Sequence, residues 1–152
     1  MLEYASVVWS PHHANKIDRI ERIQRAFLRA WCYKSGIEFR KENYHEHCSA
    51  AGVVPLYNRR DIIDILLLYK ILRGQVDSSY LLRCVCLHAP ARATREPLLF
   101  KPPFSRIDVC KHHFCYRAQK LYCELLSRSG DRGIDIFHMS FELFRKNIYR
   151  HF

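Results

Sequence analysis

Glycine is scarce. The 152 residues include five, which argues against any glycine-rich phosphate loop, and neither the GxxxxGK[ST] pattern nor a serine-centred glycine elbow occurs. Long apolar runs are missing as well. The nearest is Ile62 to Leu72, which carries Asp64 and Lys70 and is too short and too charged to span a bilayer. No charged N-terminal segment leads into an apolar run with a small-residue cleavage site. The chain is therefore expected to be intracellular, in nucleus or cytoplasm, and not secreted, with its seven cysteines reduced. Clustered carboxylates are lacking too, and a two-metal nuclease or polymerase centre needs them to hold Mg²⁺.

What is present is positive charge and helical periodicity. Lys and Arg number 25 against 15 Asp and Glu, a formal net charge of +10. That excess favours an anionic partner, nucleic acid before an anionic membrane. A composition 49% hydrophobic and 26% charged belongs to a folded chain. The strongest pattern is Asn15 to Lys34. Ile17, Ile20, Ile23, Gln24, Phe27, Ala30 and Trp31 recur at three- and four-residue spacing and so share one helix face. Arg19, Arg22, Arg25 and Arg29 repeat on the far side, a face that suits a polyanion or plain solvation.

Around this helix the punctuation is legible. Met1 to Trp9 reads as the last turns of a helix or a short strand. Ser10-Pro11 reads as an N-cap and first-turn proline, and Ser35-Gly36 as the helix stop. A short helix is expected over Asn43 to Ala51, with Tyr44, His47, Cys48 and Ala51 on one side and Gly52 closing it. A second strong helix follows over residues 56–73, stopped by Gly74. It is apolar almost all round and therefore central to the core. Arg59 and Arg60 sit in its first turns against the helix dipole, so they are expected to reach an anion or a carboxylate.

Ser78 to Arg83 reads as a further turn or two of helix. Pro90, Pro97, Pro102 and Pro103 exclude a long helix over about 84–107, leaving a proline-rich connection with an extended segment near Leu98 to Phe100. Helix resumes over Asp108 to Ser127, with Val109, Phe114, Leu121, Tyr122, Leu125 and Leu126 as contacts. Ser129 to Gly133 is a turn and Ile134 to Phe137 an apolar link. Ser140 caps a last helix to Tyr149, with Phe141, Phe144 and Ile148 inward. The fold class is all-α, five or six helices around the central helix 56–73, divided into residues 1–83, 84–107 and 108–152 and expected to form one compact unit.

Cys84, Cys86, Cys110, His112, His113 and Cys115 are metal-ligand types, but they lack the paired C-x₂₋₄-C and H-x₃₋₅-H spacing of zinc sites, and His45-x-His47 is no better. Buried thiols and surface histidines are the simpler reading, so no metal and no cofactor is expected. His12-His13 with a cysteine has no local nucleophile signature. Asp18, Glu21, Asp61 and Asp64 read as ion-pair partners on helix surfaces.

At LEYASVVWSPHHANKIDRIERIQRAFLR the sequence resembles the C-terminal part of reverse transcriptases of non-LTR (LINE-type, jockey-like) retrotransposons. The likeness continues through Asn58-Arg59-Arg60-Asp61, LLLYKILRGQVDS, RATREPLLF, LY-x-EL and DIF-H-x-S, in order along almost the whole chain. It implies the thumb and the region after it, without the fingers and palm that hold the catalytic (F/Y)-x-DD motif, so no polymerase activity of its own is expected. It also implies a fragment of a larger protein. By that likeness, Lys16, Arg19, Arg22, Arg25 and Arg29 contact the phosphates of RNA or an RNA–DNA duplex, and Trp9 with Ser10-Pro11 sets the angle of their helix. With Arg59 and Arg60 these form the expected nucleic-acid-binding set. The departure is DVCKHHFCY, Asp108 to Tyr116, richer in Cys and His than the family shows. No membrane association is expected. A helical protein-interaction module and a decayed copy without function are the alternative readings.

Overall fold

The computed structural model describes residues 3–89, 99–129 and 134–152. Among these the fold is all-α. Eight helices follow one another: α1 (Ser6–Trp9), α2 (Ala14–Lys34), α3 (Tyr44–Ala50), α4 (Leu56–Leu72), α5 (Ser79–Arg83), α6 (Asp108–Lys111), α7 (Phe114–Ser129) and α8 (Phe141–His151). No strand forms among the described residues. The extended segment expected near residues 98–100 shows instead one antiparallel bridge, Leu87 with Phe100, flanked by the His88 N–H to Leu99 and the Lys101 N–H to Cys86 carbonyl bonds. The motif RATREPLLF and the turn at residues 129–133 lie largely outside the described residues, as do Met1, Leu2, Pro90 and Pro97.

The count exceeds five or six because α1 is a distinct turn and the helix expected over 108–127 is broken in two. The break falls at His112 and His113. The His112 carbonyl accepts from Arg117 Nη1 at 2.8 Å instead of continuing the helix, and His113 Nδ1 accepts the Cys115 N–H at 3.4 Å, capping α7. Val109 is left 77% exposed on α6, so it is not a core contact.

Glycine terminates three helices as the sequence indicates. Gly36, Gly52 and Gly74 all have positive φ, and each is followed by a backbone bond that reaches back into the last turn, such as Ile37 N–H to the Cys32 carbonyl at 2.9 Å. The start of α2 differs from expectation. Its cap is His13, not Ser10, and no side chain caps it.

The chain divides into two compact units, Met1–Arg60 and Asp61–Phe152, the division falling within α4. In the first, Leu28, Tyr44 and Cys48 form a core against which Phe39 and Ala51 pack. The helix α2 is turned roughly 80° from its expected orientation, at about 100° per residue. Its buried side chains are Glu21, Gln24, Leu28 and Cys32, whereas Ile23 and Phe27 are 54% and 56% exposed. Periodicity alone favoured the isoleucines. The fold favours a stripe whose polar members find partners.

In the second unit α4 is the core helix, with Ile62, Ile65, Leu68, Tyr69 and Ile71 buried. Tyr69 stacks on Phe144 of α8 at 4.7 Å and its hydroxyl donates to the Met139 carbonyl at 2.8 Å. Tyr122 of α7 packs edge-on to Phe100 and donates to the Ile134 carbonyl. Asp64 on α4, 1% exposed, takes a two-pronged ion pair from Arg117 on α7 at 2.5 and 3.1 Å. It was expected on a helix surface. It lies inside, because a bidentate guanidinium meets both carboxylate oxygens.

Removing one side of that pair leaves an uncompensated buried charge. Asp64→Ala is expected to cost about 3–5 kcal/mol, read as a lower urea midpoint. A cost under about 1 kcal/mol, the range of solvated pairs, would show that the pair does not organise this unit.

Candidate nucleic-acid interface

The seven cations expected to bind nucleic acid fall into three groups. Arg59 and Arg60 are engaged with carboxylates inside the first unit. Arg59 Nε lies 2.7 Å from Glu3 Oε1, and its Nη2 donates to Gln24 Oε1 at 3.3 Å. Arg60 is 2% exposed and faces Glu21 at 3.8 Å. Arg60 is enclosed and does not present its charge to an outside phosphate, whereas Arg59, its side chain 31% exposed, is paired with Glu3 at the edge of the unit. Glu21, expected on a helix surface, is buried. Its Oε2 accepts the Tyr44 hydroxyl at 2.6 Å and its Oε1 the Tyr57 N–H at 2.7 Å.

Arg22, Arg25 and Arg29 form the second group. The side of α2 that carries them meets the loop after its C-terminus in a cleft of about 440 Å³, lined by Asp18, Arg22, Arg25, Ala26, Arg29, Phe39 and Lys41. Lys41 was not among the expected residues. It stands in a loop that sequence periodicity does not place, and only the turn at Ser35-Gly36, which sends the chain back along α2, brings it opposite the arginines. Arg22 is exposed and 3.7 Å from Asp18. Arg25 is the most enclosed, bonded to the Asp18 carboxylate at 2.5 Å and the Asp18 carbonyl at 3.0 Å. Arg29 lies over the Phe39 ring, 5.5 Å from its centre.

Lys16 and Arg19 make up the third group. They are exposed and do not line this cleft. Trp9, expected to set the helix angle, donates its indole N–H to the Tyr4 carbonyl at 2.6 Å.

The electrostatics of the cleft follow from its composition. One carboxylate faces four cations. The hydrogen bond from Arg25 holds the Asp18 carboxyl below its ordinary range, against desolvation, with the charges of Arg25, Arg22 and Lys41 adding to the pull. Asp18 therefore stays ionised under mildly acid conditions, and the surplus of positive charge in the cleft does not change there through this group. Phe39 is already in contact with two side chains. His47 stacks on it at 5.1 Å and 25°, and Arg29 lies over the ring. The arrangement can hold an anion by charge and by planar N–H donors, without reading bases.

The wall of the cleft depends on a polar layer beneath it. His47 Nε2 accepts the Arg40 N–H at 3.2 Å, fixing the loop that carries Phe39 and Lys41. Its Nδ1 faces Cys32 Sγ at 3.6 Å. Among the described residues no three His, Cys, Asp or Glu side chains are grouped as a metal ion would require. No helix among them is long and apolar enough to cross a membrane.

Burial, then the neighbouring Glu21 carboxylate, pushes the Tyr44 hydroxyl well above its ordinary value. A raised folded value stabilises the fold below the unfolded pKa, about 10. The contribution is lost as pH rises beyond that, because the unfolded chain releases a proton that the fold retains. Tyr44→Phe is expected to lower stability at pH 7 by about 1.5–3 kcal/mol, the range for a bond to a charged group, and to flatten the alkaline fall. Urea midpoints at pH 7 and above 10 test this, and an unaltered alkaline slope would refute it.

In comparison with known proteins, no family model, no curated protein and no solved structure matches this chain.

Proposed function

We propose that this chain is a non-catalytic counterpart of the thumb and post-thumb part of a LINE-type RNA-directed DNA polymerase. Its retained activity is sequence-independent binding of an RNA or RNA–DNA duplex backbone. The observation that carries this reading is the convergence of Arg22, Arg25, Arg29 and Lys41 on one open cleft. The ordered sequence likeness to that family supports it. A helix with a row of guanidinium groups along a groove can track successive phosphates, and release of counterions supplies the affinity. With the one cleft aromatic already contacted by His47 and Arg29, selectivity among bases has no evident source, which fits a surface that follows a duplex of any sequence. The fingers and palm of such a polymerase are the natural protein partners.

A second reading is favoured by a different observation. Ile23 and Phe27 are more than half exposed on α2, and an apolar stripe of that kind suits a helical protein-interaction module. Salt separates the two. Phosphate binding falls steeply as salt rises, whereas apolar docking does not.

Fluorescence anisotropy with a labelled RNA–DNA duplex across a salt series gives the test. If three phosphates are contacted, Arg22→Ala, Arg29→Ala and Lys41→Ala together should reduce the log–log salt slope by roughly 2–3. Arg19→Ala should change it by less than 1. Unchanged duplex affinity of the triple variant at low salt would refute the reading. Asp18→Asn removes the one competing carboxylate. It is expected to tighten binding roughly fivefold, the equivalent of about 1 kcal/mol for a charge at close range in water.

A further inference from the structure

Three thiols in the second unit gather where neither the fold nor the proposed binding explains them. A mainly apolar cleft of about 270 Å³ is lined by Cys84, Cys110 and Cys115, together with Tyr80, Pro103 and His113. All the cysteines are unbonded. Cys84 follows α5 and is half-buried, Cys115 is buried in the first turn of α7, and Cys110 is exposed on α6.

One side chain ties the first two together. Gln119 Nε2 donates to the Cys84 carbonyl at 3.0 Å and to the Cys115 carbonyl at 2.6 Å. Its Oε1 accepts the Cys86 N–H at 2.8 Å. A single amide nitrogen thus joins the two backbone carbonyls, and the Cys84 and Cys115 thiols are themselves direct neighbours, the kind of proximity a disulfide requires. Cys86 is near but does not line the cleft, its thiol donating to the Cys84 carbonyl at 3.7 Å, and Cys123 donates to the Phe100 carbonyl.

We propose that Cys84 and Cys115 form a reversible disulfide when a hydroperoxide enters this cleft, fastening the segment after α5 to α7. In the first step the Cys84 thiolate attacks one peroxide oxygen. The O–O bond breaks, the other oxygen leaves as water or alcohol after taking the thiol proton, and Cys84 becomes a sulfenic acid. In the second step the Cys115 sulfur attacks the sulfenyl sulfur, the S–O bond breaks, and hydroxide leaves with the Cys115 proton as water. One peroxide is reduced and two thiols are oxidised. Burial and the neighbouring Cys84 thiol push the Cys115 thiol up to about 12. Cys84 is half-buried and Cys115 buried, so a peroxide entering the cleft meets Cys84 first.

The test uses the full chain and hydrogen peroxide. After peroxide treatment, non-reducing peptide mapping by mass spectrometry should show one cross-link, Cys84 to Cys115, with two thiols lost per chain and regained with dithiothreitol. Cys110→Ser should leave that cross-link unchanged. Cys84→Ser, at a half-buried position that folding tolerates, should abolish it. A cross-link through Cys110, or oxidation of Cys84 beyond the sulfenic acid with no cross-link, would overturn the assignment.

Discussion

The first unit depends on a buried carboxylate. Glu21 accepts a hydroxyl from α3 and a backbone N–H from α4, with Arg60 opposite. A carboxylate so enclosed is stable only where its oxygens are met by donors and its charge by a cation. These partners fix the rotation of α2 about its own axis. Once Glu21 faces inward, Gln24, Leu28 and Cys32 must follow at helical spacing. Gln24 then donates to the Val54 carbonyl at 3.1 Å, taking up part of the extended link between α3 and α4. The same rotation directs Arg22, Arg25 and Arg29 toward the returning loop and leaves Ile23 and Phe27 outside. One interior ion pair therefore decides both where the cleft forms and where apolar surface remains.

The cations divide by the distance in sequence to a matching carboxylate with access to the interior. Arg59 and Arg60 occupy the first turn of α4, where the helix dipole disfavours them, and Glu3 and Glu21 offset that cost. Arg25 is tied by Asp18 two turns before it on the same helix. Arg22, Arg29 and Lys41 lack so close a partner and carry the open charge of the cleft. A net positive charge counted over the whole sequence does not distinguish these roles. Burial does.

Much of the helical framework was readable. The left-handed glycines, the apolar circumference of α4 and the inward face of α8 all rest on local chemistry. The orientation of α2 was not readable, because two stripes compete on that helix. The more hydrophobic one loses to a stripe whose polar members are satisfied by residues far along the chain. Asp64 and Glu21 lie inside and not on helix surfaces for the same reason, since their partners Arg117 and Tyr44 stand at long sequence separation. The break at His112-His113 turns on a guanidinium that reaches a backbone carbonyl, and no propensity scale contains that. Of the candidate site, the arginine row was legible, whereas Lys41 and the burial of Arg60 required the tertiary structure.

The placement of Arg29 on Phe39 has a kinetic and entropic side. A free arginine on a helix surface samples many rotamers and must give most of them up to hold a phosphate. Here the ring of Phe39, itself backed by His47, already confines the guanidinium. The freedom was lost when the protein folded, so less is lost when an anion arrives. If an anion does bind in this cleft, the aromatic side chain would serve it indirectly, as a rest for the cation.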